Sequence, residues 1–117
     1  MARRMVLGGL VLGAVLGLVG APVFQSVALA GDEHVAEALT HAKEAVEHGK
    51  AGHADVLVEH AEGALKHAKS AQAHAKDMHM AGAVKELENA VSHGKAGHAD
   101  VATKHAEEAV KHLSEVK

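Results

Sequence analysis

The chain has 117 residues, a formal net charge of −3 and 12 histidines, with no cysteine, tryptophan or tyrosine and a single phenylalanine. The lack of cysteine excludes a disulfide framework, and an acidic chain almost without aromatic rings is poorly suited to binding nucleic acid. The length allows one small domain, and the acidic balance favours cations as partners.

Residues 1–30 have the pattern of a secretory signal peptide. The basic pair Arg3 and Arg4 precedes an uncharged apolar run over 6–19, and Ala-Leu-Ala at 28–30 is a cleavage signal. The alternative is an uncleaved membrane anchor, because no charge follows the arginines before residue 31. The small-residue signal favours cleavage, so we predict a periplasmic protein whose mature chain, 31–117, is free of the membrane.

From His34 onward the sequence predicts amphipathic helices. When each histidine is counted as zero, apolar residues recur at +1, +4 and +5, and charged residues occupy most other positions. This is the a/d/e stripe of a heptad. Good helix formers dominate, and no proline follows Pro22. Gly49 and Gly94 follow the last periodic residue of a helix and are predicted C′ glycines.

The helical part is a tandem repeat. Residues 34–72 align with 79–117 at an offset of 45, with 20 identities in 39 positions, and the nine residues 48–56 recur unchanged at 93–101. Each copy reads as two helices joined by a short glycine turn, which is an αα-hairpin. Two such hairpins predict an all-α fold, an antiparallel four-helix bundle over residues 31–117.

The connection between the two hairpins has two interpretations. The histidine step shrinks from seven to five between His74 and His79, and five residues would rotate the heptad face away from the seam. This predicts a turn near 74–78, with Asp77 as the N-cap of the third helix. The alternative is one long helix through both segments, which would give a swapped dimer.

The histidines form a ladder with a step of seven residues. Seven residues span about 10.5 Å along one helix, so partners must come from across the hairpin. Facing residues of an antiparallel pair have a constant sum of numbers, here 101 in the first repeat and 191 in the second. The predicted metal ligands are therefore six pairs: His34 with His67, His41 with His60, His48 with His53, His79 with His112, Glu86 with His105, and His93 with His98.

Carboxylates accompany the ladder at i+3 and i+4, which is the same helix face. Each can act as a third ligand or as an acceptor that orients an imidazole. They are Glu37, Glu44, Glu108 and Glu115. His74 has no partner at the sum of 101 and is left out. Met78-His79-Met80 fits either a soft Cu(I) site or packing at a bundle end.

Several functional classes lack their residues. No glutamate is followed by histidine three residues later, as a di-iron bundle requires. There is no Cys-x-x-Cys-His for covalent haem, and Gly-Lys-Ala-Gly is not a phosphate loop. Because no serine or cysteine nucleophile has a telling context either, we predict that the protein is not an enzyme.

Together, the signal peptide, the absence of cysteine and the heptad histidines in paired hairpins resemble the small metal-binding protein family. These are periplasmic copper-binding four-helix bundles known from ammonia-oxidising bacteria. The resemblance covers 31–117 and is most specific in the two His-Gly-Lys-Ala-Gly-His turns and in residues 56–62 and 101–106. It implies binding of divalent metals, copper above all, in scavenging or buffering. Glu86 departs from the histidine pattern, so its pair is expected to be a weaker site.

The residues therefore predict an exported, monomeric protein that binds several divalent metal ions. Imidazole with carboxylate favours copper(II) over nickel(II) and zinc(II). An aromatic-free mature chain buries only a thin core, so a metal is one candidate for extra fastening. The alternative is a structural or pH-sensing bundle whose histidines only charge and repel as pH falls. A third interpretation is a non-covalent haem carrier that uses one histidine pair.

Overall fold

A computed structural model describes residues 30–117, which fold into four helices. They are α1 (Ala30–Lys50), α2 (Ala54–His74), α3 (Met78–Lys95) and α4 (Ala99–Ser114). These residues contain no strand, which confirms the predicted all-α class. The predicted signal segment lies, apart from Ala30, outside the described residues.

Contacts between the helices show how the chain folds back. His34 near the start of α1 lies beside His67 in α2, whereas His48 near the end of α1 lies beside His53 before α2. The two helices of this first hairpin (α1 and α2) therefore run in opposite directions. The same reversal occurs in the second hairpin (α3 and α4), where the ring of His79 lies beside that of His112.

Ion pairs mark the faces where the two hairpins meet. The Nζ to Oε2 distances are 3.4 Å for Lys69 with Glu88, 3.4 Å for Lys50 with Glu107 and 3.0 Å for Lys95 with Glu62. The first and third join α2 to α3, and the second joins α4 to α1, which closes the bundle. The last two pairs are equivalent under the 45-residue offset of the repeat. Exposed ion pairs of this kind contribute little to the stability of the fold. They show which helices are neighbours, and the packing of the core supplies the stability.

The apolar stripe forms the core, and alanine supplies most of it. Most +4 positions from Ala38 to Ala109 are buried, whereas Gly52, Met78 and Gly97 in or beside the turns are exposed, and most +5 positions are half-buried. The largest fully buried side chains are Leu57, Met80, Leu87 and Leu113. Alanine lets helices approach closely but buries little apolar area, so the core is thin. No helix among residues 30–117 has the length and hydropathy to cross a bilayer.

The prediction that Gly49 and Gly94 are C′ glycines is wrong. The helix α1 continues to Lys50 and α3 to Lys95. The residues with left-handed backbone are Gly52 and Gly97, at φ of 83° and 82°, where a residue without Cβ is favoured. Each helix ends one residue after the predicted glycine, at Lys50 or Lys95. The left-handed residue that stops it is the second glycine of the turn, three residues after the predicted one.

Both turns are Schellman motifs. In the first, the Gly52 N–H donates to the Gly49 carbonyl at 3.0 Å, and the His53 N–H donates to the His48 carbonyl at 2.9 Å. The second turn repeats both hydrogen bonds at the same distances. The motif brings together the side chains at C3 and C″, which here are His48 and His53. The glycine turn itself therefore places two imidazoles side by side.

Gly49 and Gly94 have a packing role instead, because both are buried where helices cross. A Cβ on Gly49 would overlap Thr103 and stand 2.6 Å from Leu57 Cδ1, and one on Gly94 would stand 2.5 Å from Val58 Cγ2. The lack of a side chain at these glycines allows the turn of each hairpin to pack closely against the other hairpin. Sequence position alone does not separate this role from that of a helix cap.

The connection between the hairpins is the predicted turn, and the alternative of one continuous helix is wrong. The helix α2 ends at His74 and α3 begins at Met78. Asp77 is the predicted N-cap: its Oδ1 accepts from the His79 N–H at 2.7 Å and from the Met80 N–H at 3.3 Å. The hydrogen bond from the His79 backbone holds the pKa of Asp77 below its ordinary value of 3.8.

Candidate metal centre

The histidines lie at the edge of the core, where one heptad position borders the apolar seam. Most are half-buried, so each ring packs along the neighbouring helix and keeps an edge towards solvent. The members of all six predicted pairs are neighbours. Ring centroids are 5.4 Å apart for His34 with His67, 5.8 Å for His41 with His60, 6.1 Å for His48 with His53, 5.9 Å for His79 with His112 and 6.2 Å for His93 with His98, and Glu86 Oε1 lies 2.7 Å from His105 Nδ1.

A second set of contacts links neighbouring pairs. Near-parallel rings stack at 5.2 Å for His48 with His60, 5.7 Å for His41 with His67, 6.1 Å for His34 with His74 and 5.2 Å for His93 with His105. His34, His41, His48, His60, His67 and His93 each lie between two rings of the facing segment, whereas the other rings contact one. In the first hairpin the rings form one continuous zigzag, which we call the histidine row: 53, 48, 60, 41, 67, 34 and 74.

The prediction that His74 lacks a partner in its hairpin is wrong, because its ring stacks on that of His34 with an interplanar angle of 14°. His74 belongs to none of the groups of potential metal ligands in the described residues. The numbering is compatible with this contact, but only the stagger of the helices selects it. The sums 34+74, 41+67 and 48+60 all equal 108, which is a second constant register beside 101. Since the step between these registers is seven, a stagger of half a heptad puts each ring within reach of both.

Three groups in the described residues bring two imidazoles and one carboxylate together, with one potential ligand atom from each residue within 4.8 Å of the others. We name each by its glutamate. They are the Glu37 cluster (Glu37, His41, His67), the Glu44 cluster (His41, Glu44, His60) and the Glu115 cluster (His79, His112, Glu115). His41 belongs to two of them. Whether these residues bind metal remains a prediction.

Distances within the clusters suit a small cation. Glu44 Oε1 lies 3.1 Å from His60 Nδ1 and 3.5 Å from His41 Nδ1, and Glu115 Oε1 lies 3.2 Å from His79 Nδ1. Ligands about 2.0–2.2 Å from a tetrahedral ion are themselves separated by roughly 3.3–3.6 Å. An ion therefore fits between these atoms with small side-chain rotations.

Two ring nitrogens give an independent indication of the same sites. The Nδ1 atoms of His41 and His112 are buried and make no hydrogen bond. A buried polar nitrogen without a partner costs free energy, and a coordinated ion would remove that cost. One such nitrogen belongs to each hairpin, and each belongs to a cluster.

The remaining predicted residues are placed without a third ligand. His48 with His53 and His93 with His98 are pairs at the turns that join none of the three clusters. The Glu86 carboxylate contacts His105 Nδ1 at 2.7 Å, and the expectation of a weaker site stays a prediction. Of the four predicted carboxylates, Glu37, Glu44 and Glu115 join clusters, whereas Glu108 contacts Lys111 Nζ at 3.3 Å.

The methionine pair at the start of α3 is divided. Met80 is buried in the core, while Met78 is 81% exposed. The two thioethers therefore occupy different environments, which favours packing for Met80 and gives no support to a soft Cu(I) site at these two residues.

Two glycines inside helices leave space for the rings of His41 and His112, whose Nδ1 atoms make no hydrogen bond. The His41 ring lies over Gly63 of α2, where an added Cβ would be 3.4 Å from its Cγ. The His112 ring lies closer over Gly82 of α3, where a Cβ would be 2.8 Å from Cε1 and 3.0 Å from both ring nitrogens. A methyl group is an ordinary contact at the first site and displaces the ring at the second.

Gly82→Ala should therefore separate stability from metal affinity. Alanine favours the helix over glycine by about 0.5–1 kcal/mol, so the metal-free variant should melt higher. Displacement of the His112 ring should weaken the Glu115 cluster about tenfold, as other changes in ligand orientation do. Zinc titration against a chelator measures this affinity. Gly63→Ala is the matched control, with the same expected gain in helix propensity and little loss of affinity. An equal loss of affinity in both variants would show that the space over Gly82 does not position the His112 ring.

Comparison with protein families relates the chain to a known family. The sequence model of a family described as small metal-binding protein matches residues 10–116 of the chain. No curated protein matches it.

Proposed function

Because the chain belongs to the small metal-binding protein family, we propose that it sequesters or buffers several divalent transition-metal ions, with copper(II) preferred. The observation that carries this proposal is the set of three clusters that each combine two imidazoles with one carboxylate. The buried Nδ1 atoms of His41 and His112 support it, since a bound ion would supply the partner that their missing hydrogen bonds leave open.

The ligand chemistry supports copper as the preferred ion. Imidazole nitrogen and carboxylate oxygen bind first-row divalent metals with affinity that rises to Cu²⁺ and falls at Zn²⁺. Three protein ligands leave a coordination position for water, so each site is open. Half-exposed ligands on flexible glutamates suit reversible uptake, which is what a buffer requires.

We further propose that the protein acts in the periplasm as a monomer without enzymatic activity. The basic pair, apolar run and Ala-Leu-Ala signal of residues 1–30 support export. The family description supports binding rather than catalysis, since it names metal binding and no reaction.

Native mass spectrometry with Cu²⁺, Ni²⁺ and Zn²⁺ at equal concentration tests this function. We expect Cu²⁺ to dominate and to load several ions, up to about six if each predicted pair accepts one. The variant His41→Ala/His79→Ala removes a ligand from each of the three clusters. It should lose the tightly bound ions, which are those that the wild-type protein retains when the sample is diluted. Saturation at a single ion would contradict the ladder, and no uptake of any ion would contradict the proposed function.

A pH-sensing bundle is the second candidate, and the histidine row favours it. Rings that stack at 5.2 to 6.1 Å would carry like charges at short distance once protonated. Such a device needs no metal. Its expected behaviour differs from that of a buffer in the melting experiment described below.

A further inference from the structure

We propose that the two clusters of the first hairpin are alternative positions for a single ion, with His41 as the ligand common to both. The inference rests on the proposed function and adds to it how the ion is held. In this arrangement His41 keeps the ion while the other two ligands exchange, Glu44 and His60 on one side for Glu37 and His67 on the other.

The chemistry of imidazole makes the two positions exclude each other. A neutral ring has one protonated nitrogen and one free lone pair, so His41 donates to one ion at a time. Binding two ions would require loss of the second ring proton. An ion in the Glu44 cluster therefore removes the shared ligand from the Glu37 cluster, and the reverse also holds.

The two imidazole partners of His41 are nearly equidistant from it. The His41 ring centroid is 5.8 Å from that of His60 and 5.7 Å from that of His67. On its own helix His41 stands between Glu37, four residues before it, and Glu44, three residues after it, and both lie on its face. Each position thus offers His41 a second imidazole at similar range and one carboxylate of its own helix, so the two positions compete for the ion.

The second hairpin lacks the shared ligand. At the 45-residue offset, Glu86 occupies the place of His41, while Gly82 and Asn89 replace the two flanking glutamates. Glu86 instead contacts His105. The cluster of this hairpin lies around His79 and His112, at the end of the hairpin away from its turn. We therefore expect one exchanging ion in the first hairpin, one stationary ion in the second, and two tightly held ions in all rather than three.

The test is to count Zn²⁺ on the full chain with free zinc held constant by a chelator, at the level that just saturates the Glu115 cluster. Loading of that cluster is followed by the imidazole NMR signals of His79 and His112. Wild type should hold two ions in native mass spectra. His60→Ala and His67→Ala should each still hold two, because the other position remains. His41→Ala and His60→Ala/His67→Ala should hold one. His98→Ala, an exposed ring outside the clusters, is the control and should hold two.

The ring signals give a second, independent readout. In wild type, the rings of His60 and His67 should each show a partial response to one ion, and His67→Ala should bring His60 to its full response. Three ions on wild type, or loss of an ion in His60→Ala alone, would overturn the shared position. A full response of one ring in wild type, with none in the other, would also overturn it. Absence of any bound zinc would instead contradict the proposed function.

Discussion

Saturating Cu²⁺ at pH 7.5 is expected to raise the melting temperature of the metal-free protein by about 20–40 °C. An ion that binds only the folded state stabilises it by about 2.7 kcal/mol at a hundredfold excess over its Kd, and two tight sites give roughly twice that. For a domain of this size, 1 kcal/mol shifts the melting temperature by about 4–8 °C. Circular dichroism melts with and without the metal measure the shift. The effect is large because the core, built mainly on alanine, stabilises the metal-free bundle so little.

The same shift disappears in acid. Metal binds the unprotonated imidazole, so protons compete with it, and free imidazole is mostly charged below about pH 5.5. Melts at pH 5.0 should therefore be alike with and without Cu²⁺. His41→Ala/His79→Ala is the control at pH 7.5 and should lose most of the shift. A wild-type melt that follows pH but ignores excess Cu²⁺ would contradict the metal proposal and favour the pH-sensing bundle.

Leu57→Ala is expected to unfold much of the metal-free protein. Leu57 is fully buried, and its two methyl groups reach towards Gly49 of the first turn and Gly94 of the second. Removing such a side chain costs about 2–5 kcal/mol, and we expect the alanine core to place the metal-free bundle near the lower end of the roughly 5–15 kcal/mol of folded proteins. Urea denaturation with a chelator present should show the midpoint falling to low urea, with substantial loss of helix signal even without urea.

The metal gives this variant a second readout. None of the three clusters contains Leu57, so Cu²⁺ should restore helix signal at neutral pH. Val101→Ala is the matched control, because Val101 is 39% exposed and loses little on truncation. A Leu57→Ala midpoint close to that of Val101→Ala would show that the turns do not depend on this contact.

The helices and the six pairs could be predicted because both follow from periodicity. A step of seven places every histidine on one helix face, and a short turn makes the facing positions sum to a constant. Finding the Asp77 cap needed only its residue type and the broken step beside it.

The stagger between helices could not be predicted in the same way. Whether a ring faces one partner or lies between two depends on the axial offset of packed helices, which the small alanines at the interface decide. For this reason the contact of His74 with His34 and the double membership of His41 were missed. Gly49 and Gly94 were misread for a related reason: the turn contains two glycines, and the residue pattern does not show which one carries the positive φ.

The equivalent ion pairs Lys50 with Glu107 and Lys95 with Glu62 give the duplication an evolutionary meaning. Each hairpin offers the other the same complementary face, as the subunits of an isologous homodimer do. A single ancestral hairpin could have formed this bundle by pairing with itself. Fusion of two copies would then free each copy to change on its own, and Lys69 with Glu88, which has no counterpart at the offset of 45, is one such change in the interface. The two copies now differ at this position, with His41 in one and Glu86 in the other, so one scaffold carries the two kinds of ion site proposed above.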